Sequence, residues 1–268
     1  MDESLCFNHK LIFTFPYMNT GTGIMSIGEE FIIKTRYGIP AQTDQLRGIP
    51  SPPIEEDFSG TIILLPDPDT GSIADVDISV AIENRESIRN YHNTPLSLEE
   101  LSYLLWCTQG IKWVLDDSTF RTVPSAGARH AIDTYLYVKN VNGLHAGIYR
   151  FLALDHSLGL ISDNDGLSDR VNKTGLEQRC IQEAAVCFIW VANSYRMTWR
   201  YGERGFRDIF LDAGHICQNL YLSSQAIGCG VCAIGAFKDD EMNTLLSLDG
   251  EKKFTLYMAT VGKIPNEE

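Results

Sequence analysis

Arg85-Glu86-Ser87-Ile88-Arg89 sets two guanidinium groups and a hydroxyl within five residues, just after the apolar-periodic segment Ile78-Ser79-Val80-Ala81-Ile82. Paired Arg forks beside a small hydroxyl suit a phosphate dianion, because Arg offers planar, permanently charged donors. The same residues also suit a basic helix end, where Arg meets the C-terminal dipole and its free carbonyls. On that pattern a helix is predicted over 73–84, with residues 85–89 as the turn that ends it. The flanking segments decide between the two readings.

Downstream, Ser97 followed by Glu100 forms a capping box, and Leu98, Leu101, Leu104 and Leu105 share one apolar face up to the stop at Gly110. Trp106 and Gln109 fall in the last turn of that helix. A polar loop, Asp116-Asp117-Ser118, then leads to Arg121-Thr122-Val123-Pro124-Ser125-Ala126-Gly127-Ala128-Arg129-His130. Pro124 and Gly127 break regular structure there, and the small Ser125, Ala126 and Ala128 let backbone N–H groups approach a ligand closely. Alternatively, Ser125 caps a small-residue helix. Strands are predicted over 134–138, 147–151 and 185–192, the last buried and central, with Asn142-Gly143 as a turn signal.

The longest helical period covers 206–227, where Phe206, Ile209, Phe210, Ala213, Ile216, Cys217, Leu220 and Ile227 recur at three- and four-residue steps. Such a helix is roughly 33 Å long, the scale of a domain spine or a subunit interface. Two further strands are predicted over 231–236 and 254–261. Strands separated by helices, without a clean βαβ repetition, indicate an α+β fold.

Upstream, glycine and proline punctuate the chain repeatedly, from Gly21 and Gly23 through Pro40 to Pro52 and Pro53. Phe31-Ile32-Ile33 and Thr61-Ile62-Ile63-Leu64-Leu65 read as short strands or extended arms, and Pro66-Asp67-Pro68-Asp69-Thr70-Gly71 as a boundary turn. Too few periodic apolar residues lie here for a separate core, so residues 1–72 are expected to wrap a domain spanning 73–268.

The chain has 268 residues, 44% of them hydrophobic and 21% charged, as in an ordinary globular protein. A net charge of −13 argues against general binding to nucleic acid or to an anionic membrane, while leaving room for a local basic site. The longest apolar run, residues 184–192, is far short of the roughly 20 residues that span a bilayer. No apolar core with a small-residue cleavage site marks the N-terminus, and seven cysteines, an odd number, fit a reducing cytoplasm.

Cys229-Gly230-Val231-Cys232 has CxxC spacing, but no second pair completes a zinc site, and it lies at a helix-to-strand passage. Structural cysteines are expected. The six histidines form no HxH or HxxxH pair, so no catalytic metal is expected, and glycine-rich phosphate loops are absent. Trp199-Arg200-Tyr201-Gly202-Glu203-Arg204 either lines a site, stacking on a planar ligand or donating from the Tyr hydroxyl, or forms a surface loop with weak ion pairs.

Taken in order, these segments resemble the nitroreductase superfamily, and within it the SagB/thiazole-oxazole-oxidase-type dehydrogenases. Arg85-x-Ser87-x-Arg89 is similar to their RxSxR phosphate signature, the 98–110 helix to their helix, and 121–130 to their flavin-facing loop. Asp212-Ala213-Gly214-His215-Ile216 and Ile234-Gly235-Ala236-Phe237 are similar to their spine helix and flavin-edge strand. The resemblance implies a central mixed or antiparallel sheet flanked by helices, an intertwined homodimer, and one FMN per interface. It implies that Arg85, Ser87 and Arg89 hold the ribityl phosphate, with Lys263 as a further candidate, and that Pro124, Ser125, Ala126 and Ala128 come from the other subunit. Ile234, Gly235 and Ala236 would border the flavin edge, the last two through backbone N–H groups. Arg200 and Tyr201 are the catalytic candidates. Azoline oxidases of this branch carry Lys where Arg200 stands, and Lys can act as a base when desolvated whereas Arg cannot. Nitroreductases proper often carry Glu where Gly235 stands. The resemblance therefore implies, first, an FMN oxidoreductase working between NAD(P)H and an organic acceptor. The alternatives are a peptide-azoline dehydrogenase and a non-catalytic flavin-binding partner.

Overall fold

In a computed structural model of the chain, residues 25–38, 42–68, 71 and 73–265 are described. Gly21, Gly23, Pro40, the Asp69-Thr70 part of the boundary turn and the stretch read for targeting signals lie outside them. Chain order is α1 Ile27–Lys34, β1 Ile62–Leu64, α2 Ile78–Glu83, α3 Leu98–Gln109, β2 Ile111–Leu115, β3 Ser118–Arg121, β4 Ile132–Val138, β5 Gly147–Leu152, β6 Ser157–Ser162, α4 Leu167–Thr174, α5 Arg179–Glu183, β7 Val186–Asn193, α6 Ser194–Tyr201, α7 Gly205–Ser224, β8 Cys229–Ile234, α8 Asp239–Leu245 and β9 Lys253–Lys263.

Seven strands form one sheet in the order β1-β6-β5-β4-β7-β9-β8, and every named pair is antiparallel. β7 is buried along its whole length. Its residues alternate between the faces as a strand period of two requires. Phe188 and Trp190 join the core under α3 and α7, while Cys187, Ile189 and Val191 join the core shared with α4, α5 and α8. The expected α+β fold, a largely antiparallel sheet flanked by helices, is what forms.

The capping box of α3 is made as expected: Glu100 N–H donates to Ser97 Oγ at 3.1 Å and Ser97 N–H to Glu100 Oε2 at 2.9 Å. Other local readings fail. Phe31, Ile32 and Ile33 lie inside α1, behind a Ser26–Glu29 capping box, rather than in a strand. The helix expected over 73–84 is only Ile78–Glu83, and residues 85–89 are extended rather than a turn. Ile88 N–H donates to Val231 O at 2.9 Å, and Ser87 bridges Val231 in parallel, so this segment lies along the free edge of β8. Polar residues 116–118 prove to be the tip of a β2–β3 hairpin, and β6 was not anticipated.

The segment before β1 is bonded to the body of the sheet. Arg150 donates to Glu56 O at 3.0 Å, Asn193 Nδ2 to Glu56 Oε1 at 3.1 Å, and Ala153 N–H to Glu55 Oε2 at 2.6 Å, while Lys253 pairs with the Glu56 carboxylate. Trp199 Nε1 donates to Ile49 O at 2.9 Å, and Gln45 N–H to Trp199 O at 3.0 Å. Among the described residues no helix is long and apolar enough to cross a membrane.

Candidate functional site

The hub of the site is Tyr221, near the C-terminal end of α7. Its hydroxyl accepts the Ala233 N–H at 2.9 Å and shares a hydrogen bond with Ser87 Oγ, also at 2.9 Å. One side chain thus ties the 85–89 segment to the strand that ends at Ile234. Arg85 lies over the same ring, its guanidinium carbon 5.5 Å from the centroid, within cation–π range. Arg89 is exposed and donates to the Ser87 carbonyl at 3.4 Å. Among the described residues neither Arg85 nor Arg89 has a carboxylate partner. In a chain of net charge −13, two such cations on one extended segment are a local exception.

Gly230 lets this segment approach. A Cβ there would stand 2.5 Å from Ile88 Cβ, so any side chain would push residues 85–89 off the edge of β8. Ile234 is buried in the second core, while Gly235 and Ala236 leave the strand and are exposed. A Cβ on Gly235 would meet nothing within 4 Å, which leaves room for a ligand against its backbone. Gln178 donates to Ala236 O at 2.8 Å and fixes the orientation of that peptide. Lys263 is placed differently. Its ammonium donates to Glu100 Oε1 at 2.5 Å and to Ile227 O at 2.7 Å, so its charge is already paired.

The loop at 124–130 is held to the other half of α7. Ser125 has no helix-capping bond; its hydroxyl donates to Asp212 Oδ2 at 2.5 Å and accepts the His130 N–H at 2.9 Å. Ala126 N–H donates to Asp212 Oδ1 at 3.3 Å. Burial pushes the Asp212 carboxyl up, against the opposing effect of these two bonds. Pro124 stands beside Asp212 in the closed space under the loop. Gly127 and Ala128 have φ near +57° and +53°, the left-handed region, which turns the loop sharply. Asp212 and Tyr221 are nine residues apart on one helix, about 13 Å along its axis. Within one chain, therefore, α7 keeps the 124–128 loop away from Ser87.

Arg200 and Tyr201 close α6 rather than sitting in a surface loop. The structure brings them to the loop: a Cβ on Gly127 would lie 2.3 Å from Tyr201 Oη and 3.2 Å from Arg200 Nε. Arg200 is stacked on Tyr201, 5.6 Å from its ring centroid. Beside them opens a cavity of about 680 Å³ whose far wall is the end of α1 and the turn after it. Cys229 and Cys232 sit in β8, both buried; burial raises both thiols, Cys229 to about 12, so neither is an activated thiolate.

Sequence reasoning read Asp212 and Tyr221 only as part of the long helix and gave neither a place in the site. Both fall within the buried stripe of α7, among Ile209, Ala213, Ile216, Cys217 and Leu220. A carboxylate in an apolar stripe is the available signal, because such a group must find donors.

Comparison with known proteins bears on the fold and the family. A family model described as "Nitroreductase family" matches residues 82–263. A Methanocaldococcus jannaschii protein whose name provisionally calls it a nitroreductase is 36% identical over 201 residues, 75% of this chain and 96% of its own. The trifolitoxin-processing protein of Rhizobium leguminosarum bv. trifolii is 27% identical over 143 residues, 48% of this chain; the match spans only 36% of that protein. Among solved structures, a Ralstonia eutropha protein, likewise provisionally named a nitroreductase, superposes with a TM-score of 0.64 at 25% identity, covering 81% of this chain and all of the other.

Proposed function

The chain belongs to the nitroreductase family of oxidoreductases, and on that premise we propose that it is an FMN-dependent enzyme working between reduced nicotinamide and an organic acceptor. The observation that carries this reading is the Tyr221 hub, which joins Ser87 and Arg85 to β8 at Ala233, just before the exposed Gly235 and Ala236, with Arg89 bonded to the Ser87 carbonyl.

These residues fit FMN. Because Tyr221 Oη accepts from Ala233, its own proton is available to Ser87, and the Ser87 proton is then free to point outward. Ser87, Arg85 and Arg89 together would hold a phosphate by charge-assisted bonds. Gly235 and Ala236 would present backbone N–H groups at the flavin edge, where negative charge develops on reduction. When bound, FMN supplies two-electron hydride acceptance and donation, and the chain supplies position, exclusion of water and protons. The Tyr201 hydroxyl is the proton donor within reach of the 124–128 loop. Arg200 orients and stacks, since a guanidinium does not serve as a base.

The 13 Å offset along α7 supports a site made by two chains, with one subunit contributing 85–89 and 235–236 and the other Pro124, Ser125, Ala126 and Ala128. Phe210 and Leu211, 56% and 62% exposed on α7, are apolar surface suited to a second copy. The direct test is reconstitution with FMN. NADH or NADPH should bleach the flavin band anaerobically, and a quinone or nitroaromatic should restore it. Failure to retain FMN would overturn the reading; retention without reduction by any donor would leave a flavin-binding partner instead. A second reading, dehydrogenation of an azoline peptide, rests on the resemblance to the azoline-oxidase branch, beside the likeness to a protein named for processing trifolitoxin. It predicts loss of two hydrogens from an azoline peptide, and an unchanged mass would count against it.

A further inference from the structure

The cavity between α1 and the end of α6 points to the acceptor itself. We propose that it takes a planar organic acceptor carrying an anionic group, a carboxylate or phosphate, held by cations from the N-terminal helix region as well as from α6. The inference rests on the placement of Arg200 and Tyr201 in the reactive site proposed above.

Lys34, Arg36, Arg200 and Arg204 line this space, with Glu203 as the single carboxylate among the lining residues. Four cations to one anion is the reverse of the whole chain, which carries 35 acidic against 22 basic residues. Lys34 is offset in part by Glu30, 2.5 Å away, and Arg204 donates to the Thr35 carbonyl at 2.9 Å. Arg36 and Arg200 have no carboxylate partner among the described residues. The volume, about 680 Å³, lies within the roughly 300–1,000 Å³ of small-molecule sites. Tyr201 and Tyr37 supply aromatic faces for a planar body.

The cation wall is anchored rather than loose. Arg207 Nε donates to Thr35 Oγ1 at 2.6 Å and its second nitrogen to Ile32 O at 2.6 Å, so α7 holds the end of α1 against the cavity. Tyr201 Oη packs against Gly127, which puts the cavity mouth beside the loop read above as facing the flavin. A net charge of −13 repels anions over a distance, so a preference for an anionic acceptor has to arise inside this pocket.

The test compares three acceptors of one shape with the FMN-loaded full chain: para-nitrobenzoate, para-nitrophenyl phosphate and the neutral para-nitrobenzamide. At least one anion should exceed the amide in kcat/KM by about tenfold, the size of one charge-assisted hydrogen bond, with the advantage shrinking as salt is added. Whichever anion leads identifies carboxylate or phosphate as the group recognised. Calorimetric titration of para-nitrobenzoate and para-nitrophenyl phosphate gives a readout independent of turnover. Arg36→Gln should weaken the preferred anion about tenfold with FMN content unchanged, and Arg36→Lys should restore most of the loss. If FMN binds and the amide is reduced as well as both anions, the pocket proposal falls while the FMN reading stands. If FMN does not bind, the functional reading falls, and titration of the flavin-free chain still decides the pocket: Arg36-dependent anion binding supports it and no binding overturns it.

Discussion

At the scale of single residues, polar groups buried in apolar surroundings hold the site together. Tyr221→Phe removes the hydroxyl that serves both Ser87 and Ala233. The loss should cost about 1–3 kcal/mol of stability for two ordinary hydrogen bonds, read from urea denaturation, and should weaken FMN binding as Ser87 loses its partner. His130 makes a pH-dependent contribution. Burial, with Arg121 beside it, pushes its imidazole down to about 3, and its ring donates to Thr119 O at 3.0 Å. The unfolded chain takes up that proton near pH 6.5, so it binds more protons than the folded chain between the two values. His130 therefore contributes full stability above about pH 6.5 and loses it as pH falls toward 3. The urea midpoint should drop over this window, and His130→Asn, which tolerates the positive φ, should flatten part of the slope. The spacing of Arg85, Ser87 and Arg89 is a local property and could be read directly, but by itself it suits a basic helix end as well as the proposed phosphate anchor. Tyr221 was not legible, because a Tyr in an apolar helix stripe looks like core until its partners are known.

At the scale of elements, legibility followed the locality of the cause. The Ser97–Glu100 box, the stop at Gly110 and the period of α7 are set within a few residues, and they match the structure except at Phe210, which the period counted as apolar face and the structure exposes. The 85–89 segment is extended because its partner is Val231, more than 140 residues away, and no local signal reports that bond. Phe31, Ile32 and Ile33 are a different case: their β-branched and aromatic composition suggests a strand, while the local Ser26–Glu29 box, a signal available in the sequence, and docking of Arg207 make a helix. Arg200 and Tyr201 were read as a cluster ahead of the long helix, yet they end a helix of their own whose other face is covered by residues 44–51. Glu56 shows how strongly the preceding segment is bound. Glu56→Ala leaves Asn193 and the half-buried Lys253 without their carboxylate and should cost about 1–3 kcal/mol, a lower urea midpoint with unchanged FMN stoichiometry.

At the scale of the whole molecule, α7 is both the spine of the core and the reason one chain holds only part of the proposed site. Its buried face carries Asp212 and Tyr221, which position the 124–128 loop and the 85–89 segment at different heights, and the helix also exposes Phe210 and Leu211. The proposed dimer predicts that the wild type runs at twice its chain mass in light scattering. Phe210→Glu with Leu211→Glu should give a folded monomer that loses FMN, since each site would lack its second chain. A monomer retaining tight FMN would show instead that one chain suffices. The central claim, that Arg85, Ser87 and Arg89 anchor a phosphate, is tested most directly by titrating the protein with FMN and with riboflavin, which differ only in that group. FMN should bind at least about a hundredfold more tightly, two charged hydrogen bonds' worth, and Arg85→Ala with Arg89→Ala should erase the difference. Equal affinity for the two flavins in the wild type, or an undiminished preference for FMN in the double variant, would contradict it.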